Sequence, residues 1–464
     1  MHKRLIVLIT AGLVLELLCI LTATVGDIMQ NITKFSFLYM VSFIVYLFAV
    51  FFILKMPSSP EEDKRYSGKI LWTILVFSLV FRLSLLPLTP SNDMFRYVWE
   101  GRLQVNGLNP YSSPPESSTL EHLRDKFYSG IGHKQLTTIY PPLTLMIFAI
   151  AELFSHSFLS MKTAFLTFDV LSIFLLVKFL RVMGKEPVHV LIYAWSPLVL
   201  MSFAARGHCD SLQIFFVILA LYLHSMKKQI QSFISISLST MSKFVSIIIV
   251  PFIIPRGKIK YLIILFLLIL LLYAPYSGAG RGLFSTLFHF GTQYHYNDSV
   301  HFLIFCLSLG SPFISKIITI IILCSVIYCL CKKHLQKNPT EITLDTDTTI
   351  IKYSYMSIGT FLILAPTVHP WYITWIVPFL CFFPNKAWLV LTGSVVFYYF
   401  MNHPSFSRLI EYNQEWVWQE VQWLKIPEYI PFYFLLIYGG IRKRLLANKC
   451  SQSALPKLVM NTQA

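Results

Sequence analysis

The sequence predicts an all-α, polytopic membrane protein, and three observations support this class. Hydrophobic residues make up 55% of the 464 residues and charged residues only 13%, and the mean hydropathy is +0.63. This composition excludes a water-soluble core. Uncharged runs such as residues 44–54 and 261–273 belong to stretches that approach the roughly 20 apolar residues needed to cross a bilayer. Period-two alternation is absent, which favours helices over barrel strands.

Short basic clusters between the apolar runs orient the chain. The net charge is +16, but the clustering matches the excess of Lys and Arg on cytoplasmic loops, and no nucleic-acid partner is expected. We place both termini in the cytoplasm and interpret residues 1–25 as a retained first helix instead of a cleaved signal. The clusters are Lys3/Arg4, Lys55 with Lys64/Arg65/Lys69, Lys178/Arg181/Lys185, Lys227/Lys228, Arg256/Lys258/Lys260, Lys332/Lys333 and Arg442/Lys443/Arg444.

This orientation leaves a set of loops outside the cytoplasm. The first runs over residues 89–138 and a late one over 402–428; shorter ones cover 206–210, 278–300 and 367–369. We expect one membrane domain over residues 1–464, with 11 to 13 spanning helices, in the bacterial inner membrane. Residues 139–180 and 232–254 must each return to the side they would leave, so we predict re-entrant or broken helices there.

The first outer loop opens with an acidic residue at the membrane exit. Asp93 lies in the run SNDMFRYVWEGR, directly after an apolar span. A carboxylate at this position can meet a lipid headgroup and act as a general base toward a hydroxyl. The alternative is that Asp93 only caps the helix that follows. We interpret Glu100 and Arg102 as a structural pair.

A second polar group, Arg206, His208 and Asp210, stands on an outward turn between apolar segments. Asp210 could orient or charge His208, and the guanidinium fork of Arg206 suits a phosphate. The alternative is an interfacial capping turn. Lys243 interrupts an apolar stretch, where a charge costs roughly 2.5 to 3.5 kcal/mol at mid-membrane. It could neutralise a lipid phosphate at the tip of a broken helix, or its side chain could snorkel to an interface.

The third outer loop carries aromatic and polar residues in FHFGTQYHYND, residues 288–298, and Asn297 stands near its end. Such a mixture can line a sugar site, although an interfacial aromatic belt looks similar. His289, His295 and His301 have no recognisable metal-ligand spacing, and we predict no metal site. His369 begins a later span on the outer side and could face the same cavity.

Six stretches stand out as motifs: residues 92–111, IYPP at 139–142, YAWSP at 193–197, GHCD at 207–210, SKF at 242–244 and HPWY at 369–372. Together they resemble the motifs of bacterial GT-C glycosyltransferases that use polyprenyl-phosphate sugars, a mannosyltransferase-like membrane family. The resemblance spans about residues 87–378. It implies a GT-C-like bundle and makes Asp93 the catalytic carboxylate. Many members carry two acids here, whereas Asn92 precedes Asp93. The resemblance therefore leaves a divalent cation open as a cofactor, without a clear acidic pair to hold it.

We therefore predict a glycosyltransferase that moves a hexose, mannose by resemblance, from a polyprenyl-phosphate carrier to an extracytoplasmic glycan or lipid. Asp93 is the expected base. The expected substrate-binding residues are Arg96, Tyr97, Arg206, His208, Asp210, Lys243, Asn297 and His369. Inversion or retention at the sugar stays open. The alternative function is a transporter or flippase of lipid-linked saccharides, although the chain shows none of the paired repeats common in transporters.

Overall fold

The computed structural model describes residues 3–55, 60–254, 258–336, 344–412 and 415–454. Helices form most of these ranges. Those of the first half are α1 (Lys3–Ala23), α2 (Ile32–Lys55), α3 (Pro60–Leu85), α4 (Asp93–Val105), α5 (Pro142–Phe154), α6 (Phe158–Val182), α7 (Leu191–Ala194), α8 (Pro197–Leu200), α9 (Asp210–Ser225) and α10 (Gln229–Thr240).

The second half continues with shorter helices between long ones. They are α11 (Val250–Ile253), α12 (Tyr261–Tyr273), α13 (Gly282–Gln293), α14 (Val300–Leu307), α15 (Pro312–Gln336), α16 (Leu344–Leu364), α17 (Pro370–Ile373), α18 (Val377–Leu380), α19 (Lys386–Ser394) and α20 (Lys425–Ala454). Within the predicted late loop, β1 (Leu409–Tyr412) and β2 (Glu415–Trp418) pair in antiparallel orientation.

Apolar helices long enough to cross a bilayer confirm the all-α polytopic class. By length and hydropathy, the described ranges contain six of them, or seven if the bent pair α7 and α8 counts as one span. Three shorter apolar helices cover 142–154, 210–225 and 244–253. The predicted 11 to 13 spans are not reached by this measure. The long ones are α1, α2, the apolar part of α3 from Ser67, α6, α12 with its extension to Ala279, and α15.

Broken helices are present, as expected for this class. The stretch from Pro187 to Ala205 bends by 56° at a break that ends at Pro197. Proline disfavours helical backbone in the residue before it, and Ser196 is extended. A second break follows α10, where Lys243 is extended and a 3₁₀ segment, Phe244–Ile249, continues the chain. This break lies in the predicted 232–254 stretch.

Residues 139–180 also contain an interruption. The 13-residue helix α5 is about 20 Å long at 1.5 Å per residue, which is too short to cross a bilayer. The chain then turns at Ser155 and Ser157, and the Ser157 side chain accepts a hydrogen bond from the Ser160 N–H at 3.2 Å to begin α6.

The first outer loop is folded around a small core of its own. Trp99 and Leu103 of α4 pack against Leu120, Leu123 and Ile131. The predicted pair of Glu100 with Arg102 is wrong, because the two point to different partners. Glu100 pairs with Arg96 one turn earlier, at 3.1 Å, and Arg102 pairs with Asp125.

Candidate active site

Asp93 is the first residue of α4 and stands at a partly open position. Its side chain is 37% exposed, and its Oδ2 lies 3.4 Å from Nδ1 of the buried His208. In the described part of the chain Asp93 makes no side-chain hydrogen bond to the first turn of α4, and Asn92 makes no capping bond either. The side chain therefore faces His208 instead of capping its helix.

A tight turn sets His208 opposite Asp93. The π-helical segment 201–205 ends at Arg206, and Gly207 follows with φ of +74°. A Cβ on Gly207 would lie 2.9 Å from Cγ of Lys162, so this position requires glycine for both its conformation and its space. The His208 N–H then donates to the Ser202 carbonyl at 2.9 Å.

Arg206 connects the segment that carries His208 to the segment that carries Asp93. The Ser91 N–H donates to the Arg206 carbonyl at 3.0 Å, and Nη1 of Arg206 donates to the Thr89 carbonyl at 3.2 Å. The guanidinium thus lies beside the segment that leads into Asp93. This position explains why Asp93 and Arg206 interact electrostatically.

Three aromatic rings form a continuous stack beside Asp93. The His208 and Trp371 rings are 3.8 Å apart at 14°, and the Trp371 and His369 rings are 4.5 Å apart at 13°. His369 also shares a 2.7 Å hydrogen bond between its Nδ1 and the Tyr398 hydroxyl. Because both faces of Trp371 are covered by imidazoles, this ring cannot serve as a stacking platform for a sugar.

Lys243 forms the other charged side of the site. Its Nζ lies 2.5 Å from Oδ1 of Asp210, and its side chain is 24% exposed. The ammonium lies 4.2 Å from the centre of the Tyr372 ring and 4.9 Å from that of Trp375. Trp375 also donates its indole N–H to Asp210 Oδ1 at 2.8 Å. Lys243 is therefore paired and not snorkelling.

The electrostatics favour an ionised Asp93 and a charged Lys243. Burial acts to raise the pKa of Asp93, but the interaction with His208, helped by His369 and Lys243, lowers it overall. Burial opposes the charge on Lys243, yet Asp210 raises the pKa of Lys243 above its ordinary value. Burial lowers the pKa of His369 to about 3, despite the nearby Asp93 carboxylate. At neutral pH the site thus pairs a free carboxylate with a fixed cation and neutral imidazoles.

Comparison with known families assigns the chain to one of them. A family model described as alpha-(1->6)-mannopyranosyltransferase, N-terminal domain, matches residues 6–256, more than half of the chain. The protein belongs to this mannosyltransferase family. None of the curated proteins and none of the solved structures that were compared matches the chain.

The family is of the GT-C type, and the chain is accordingly a hexosyltransferase that acts on mannose. This membership supports the enzyme over the transporter that the sequence left as an alternative. The matched region runs from α1 past Lys243 and so contains Asp93, Arg206, His208 and Asp210. The stack residues His369 and Trp371 lie beyond it.

Six of the predicted site residues of this mannosyltransferase converge. They are Asp93, Arg206, His208, Asp210, Lys243 and His369. The other three lie elsewhere. Arg96 donates to the carbonyls of Gly132, His133 and Leu136 and pairs with Glu100, so it holds the loop together. Tyr97 is 1% exposed and stacks on Phe148 at 4.5 Å.

Asn297, the third of these, is fully buried in a network with Val368 and Glu428. A bound substrate could not touch it there. Nearby, ligand atoms of His295, Asp298 and Glu420 lie within 4.8 Å of one another. However, Nζ of Lys425 contacts Asp298 at 2.6 Å and Glu420 at 2.7 Å, so these two carboxylates already share an ammonium partner.

Sequence reasoning missed the aromatic residues of the site. Trp371, Tyr372 and Trp375 follow His369 at helical spacing, and the motif HPWY was visible without indicating which ring would stack on which. Pro370 is the first residue of α17 and leaves His369 extended. Tyr398 carried no signal, because it is one aromatic residue in a run of several.

Proposed function

We propose that this mannosyltransferase transfers mannose from a polyprenyl-phosphate carrier to a hydroxyl of an extracytoplasmic glycan or lipid. One observation carries the proposal: an accessible carboxylate, Asp93, lies within electrostatic range of Lys243 and Arg206 and follows the spanning helix α3 in the chain. A base next to two cations suits an acceptor hydroxyl on one side and a lipid phosphate on the other.

In the proposed reaction, Asp93 takes the proton of the acceptor hydroxyl while the hydroxyl oxygen bonds to C1 of mannose. The bond between C1 and the phosphate oxygen breaks, and its electron pair leaves with the lipid phosphate. Lys243 and Arg206 stabilise the charge that grows on that phosphate. Asp210 keeps Lys243 protonated and orients its ammonium toward the phosphate.

The family description gives a (1->6) linkage, which supports the primary 6-hydroxyl of a mannoside as the acceptor. Purified enzyme is incubated with radiolabelled polyprenyl-phosphate-mannose and octyl α-mannoside, and the products are separated. We expect labelled disaccharide with this acceptor and none with its 6-deoxy analogue. Polyprenyl-phosphate-glucose and GDP-mannose serve as donor controls. Transfer from GDP-mannose but not from the lipid-linked sugar would refute the donor assignment.

We further propose that the site faces outward from the bacterial inner membrane and that both termini are cytoplasmic, on the strength of the basic clusters. Asp93, Arg206, Asn297 and His369 then lie outside, and Lys64, Lys333 and Lys443 inside. Single cysteines at the exposed positions Asn92 and Lys333 are tested in intact cells with an impermeant thiol reagent. Labelling at 92 only is expected. Labelling at position 333 only would show that the chain has the opposite orientation in the membrane.

A further inference from the structure

Residues 296–298, here called the 296–298 segment, pair through Tyr296 with the residues just before His369. The Tyr296 N–H donates to the Pro366 carbonyl at 2.9 Å, and the Val368 N–H donates to the Tyr296 carbonyl at 3.0 Å. Tyr296 and Thr367 form an isolated parallel bridge. The backbone one residue before His369 is thereby fixed.

Asn297 adds a second set of bonds at the same point. Its Nδ2 donates to the Val368 carbonyl at 3.0 Å and to Glu428 Oε1 at 2.9 Å. Its backbone N–H donates to Glu420 at 2.5 Å, and its carbonyl accepts from the Tyr429 hydroxyl at 2.8 Å. The side chain is 0% exposed, and φ is +52°, a conformation that asparagine tolerates better than most residues.

The third residue of the segment anchors it to the start of α20. Asp298 pairs with Lys425, which also pairs with Glu420. The Glu428 carbonyl accepts a hydrogen bond from the Ser394 hydroxyl at 2.7 Å, immediately before the helical stretch that carries Tyr398. The segment is therefore connected to His369 by two routes, through Val368 and through α20 toward Tyr398.

We propose that the 296–298 segment is a positioning element that holds the His369 and Trp371 rings against His208, and through them fixes Asp93. The proposal rests on the proposed role of Asp93 as base. Asn297 is then a positioning residue and not a substrate ligand, which accounts for its complete burial. A displacement on the order of 1 Å at a catalytic group is enough to reduce a rate by about 10².

The test uses Asn297→Gly in the full-length enzyme, because glycine keeps the positive φ and removes only the side-chain bonds. We expect kcat, per folded enzyme, to fall roughly 10- to 100-fold, with a smaller change in KM for polyprenyl-phosphate-mannose. Arg206 and Lys243 lie on other segments, so donor binding depends less on residues 366–369. The acidic limb of the pH profile is expected to move to higher pH, since the stack that keeps Asp93 ionised is loosened. Amide exchange in peptides covering 366–372 is expected to accelerate.

His301→Ala is the matched control. His301 is also 1% exposed and lies just after the segment, but its Nδ1 pairs with the Thr319 hydroxyl at 3.0 Å, away from residues 366–369. We expect any loss of thermal stability to come without a shift of the pH profile. An equal shift in His301→Ala and Asn297→Gly would overturn the positioning role.

A reversed pair tests the link to Glu428. Asn297→Asp places a carboxylate against Glu428, and adding Glu428→Gln supplies a donor in the opposite direction. We expect the double variant to recover part of the kcat lost in Asn297→Asp, measured as a double-mutant cycle. Folded Asn297→Gly with wild-type kcat, pH profile and exchange would overturn the inference, whereas full activity of Asp93→Asn would instead overturn the catalytic assignment on which it rests.

Discussion

Two ion pairs inside this bundle are built very differently. Arg82 of α3 and Asp169 of α6 meet at 2.6 Å and are 1% and 0% exposed. Nη1 of Arg82 also donates to the carbonyls of Ser78 and Ala194. Asp169 accepts a further bond from the Tyr193 hydroxyl at 2.8 Å. This pair is closed, with carbonyls and a hydroxyl completing its hydrogen bonding.

The pair of Lys243 with Asp210 is incomplete by comparison. In the described part of the chain Lys243 Nζ makes one hydrogen bond, to Asp210, out of the three that an ammonium can donate. Oδ2 of Asp210 is buried without a hydrogen-bond partner. The lysine is 24% exposed, and its other neighbours are the faces of Tyr372 and Trp375.

The difference indicates that the Arg82–Asp169 pair has a structural role, whereas the Lys243–Asp210 pair belongs to a binding site. A charge in the membrane is costly unless it is paired, and the Arg82 pair meets that cost with protein groups alone, which joins α3 to α6. In the Lys243–Asp210 pair, by contrast, the ammonium has N–H donors that make no hydrogen bond in the described part of the chain. The accessible carboxylate of Asp93 belongs to the same site. A phosphate can complete the hydrogen bonding of Lys243, whereas nothing further can bind at Arg82.

The largest effect is expected at the candidate active site, for the substitution Asp93→Asn. Removing the proton acceptor should lower transfer by roughly 10² to 10⁴, while folding stays unchanged because Asp93 makes no capping bond. Asp125→Asn is the control, since Asp125 lies on the same loop but pairs with Arg102 and His156. Transfer from polyprenyl-phosphate-mannose is measured for both. Full activity in Asp93→Asn would remove Asp93 from the chemistry.

Substitutions in the Arg82–Asp169 pair should lower the free energy of unfolding and leave the rate of transfer unchanged. Arg82→Met leaves Asp169 buried and unpaired, and we expect roughly 3–5 kcal/mol of destabilisation. Adding Asp169→Leu should recover part of this loss, because the uncompensated charge is gone. Denaturation of the purified protein in mixed micelles measures the effect. Surviving folded enzyme should keep its kcat, and a kcat loss as large as that of Asp93→Asn would contradict the comparison.

Lys243→Ala and Arg206→Ala should give intermediate effects on catalysis. A charge-assisted hydrogen bond is worth about 1.5–3 kcal/mol, so we expect kcat/KM for the lipid-linked donor to fall roughly 10- to 100-fold. Both a higher KM and a lower kcat are expected, because the phosphate gains charge as it leaves. Lys126→Ala, an exposed lysine on the first loop, is the control. Wild-type kinetics in both variants would exclude a phosphate site here.

The sequence predicted the membrane class and the convergence of Asp93 with Arg206, His208, Asp210, Lys243 and His369. Charged residues next to apolar runs are visible in a linear pattern, since each needs a reason to be near lipid. The partner of each charge was not predictable in the same way. Arg96 and Lys243 were both predicted to bind substrate, yet one contacts the carbonyls of its own loop and the other contacts Asp210 across the bundle.

Burial and stacking depend on contacts between distant segments, which no local pattern encodes. Asn297 was predicted to bind substrate because it stands in an aromatic outer loop, but its partner Glu428 lies 131 residues later. Likewise, the ring stack joins His208 to Trp371 and His369 across more than 150 residues of chain. The broken helix at Pro197 was not predicted either, although Ser-Pro is a signal for it.

The smallest expected effect concerns how the ring stack tunes Asp93. His208, aided by His369 and Lys243, lowers the pKa of Asp93 below its ordinary value, and a base must be ionised to work. Activity should therefore persist into mildly acidic solution and fall only as the pH drops through this lowered pKa. His208→Gln keeps a polar side chain but removes the imidazole, so the pKa of Asp93 should rise and the acidic limb of kcat/KM should move to higher pH. The alkaline side should keep most of its activity. Rates measured from acid to neutral pH, with Asp125→Asn as the reference, decide this, and an unmoved acidic limb would show that His208 does not tune the base.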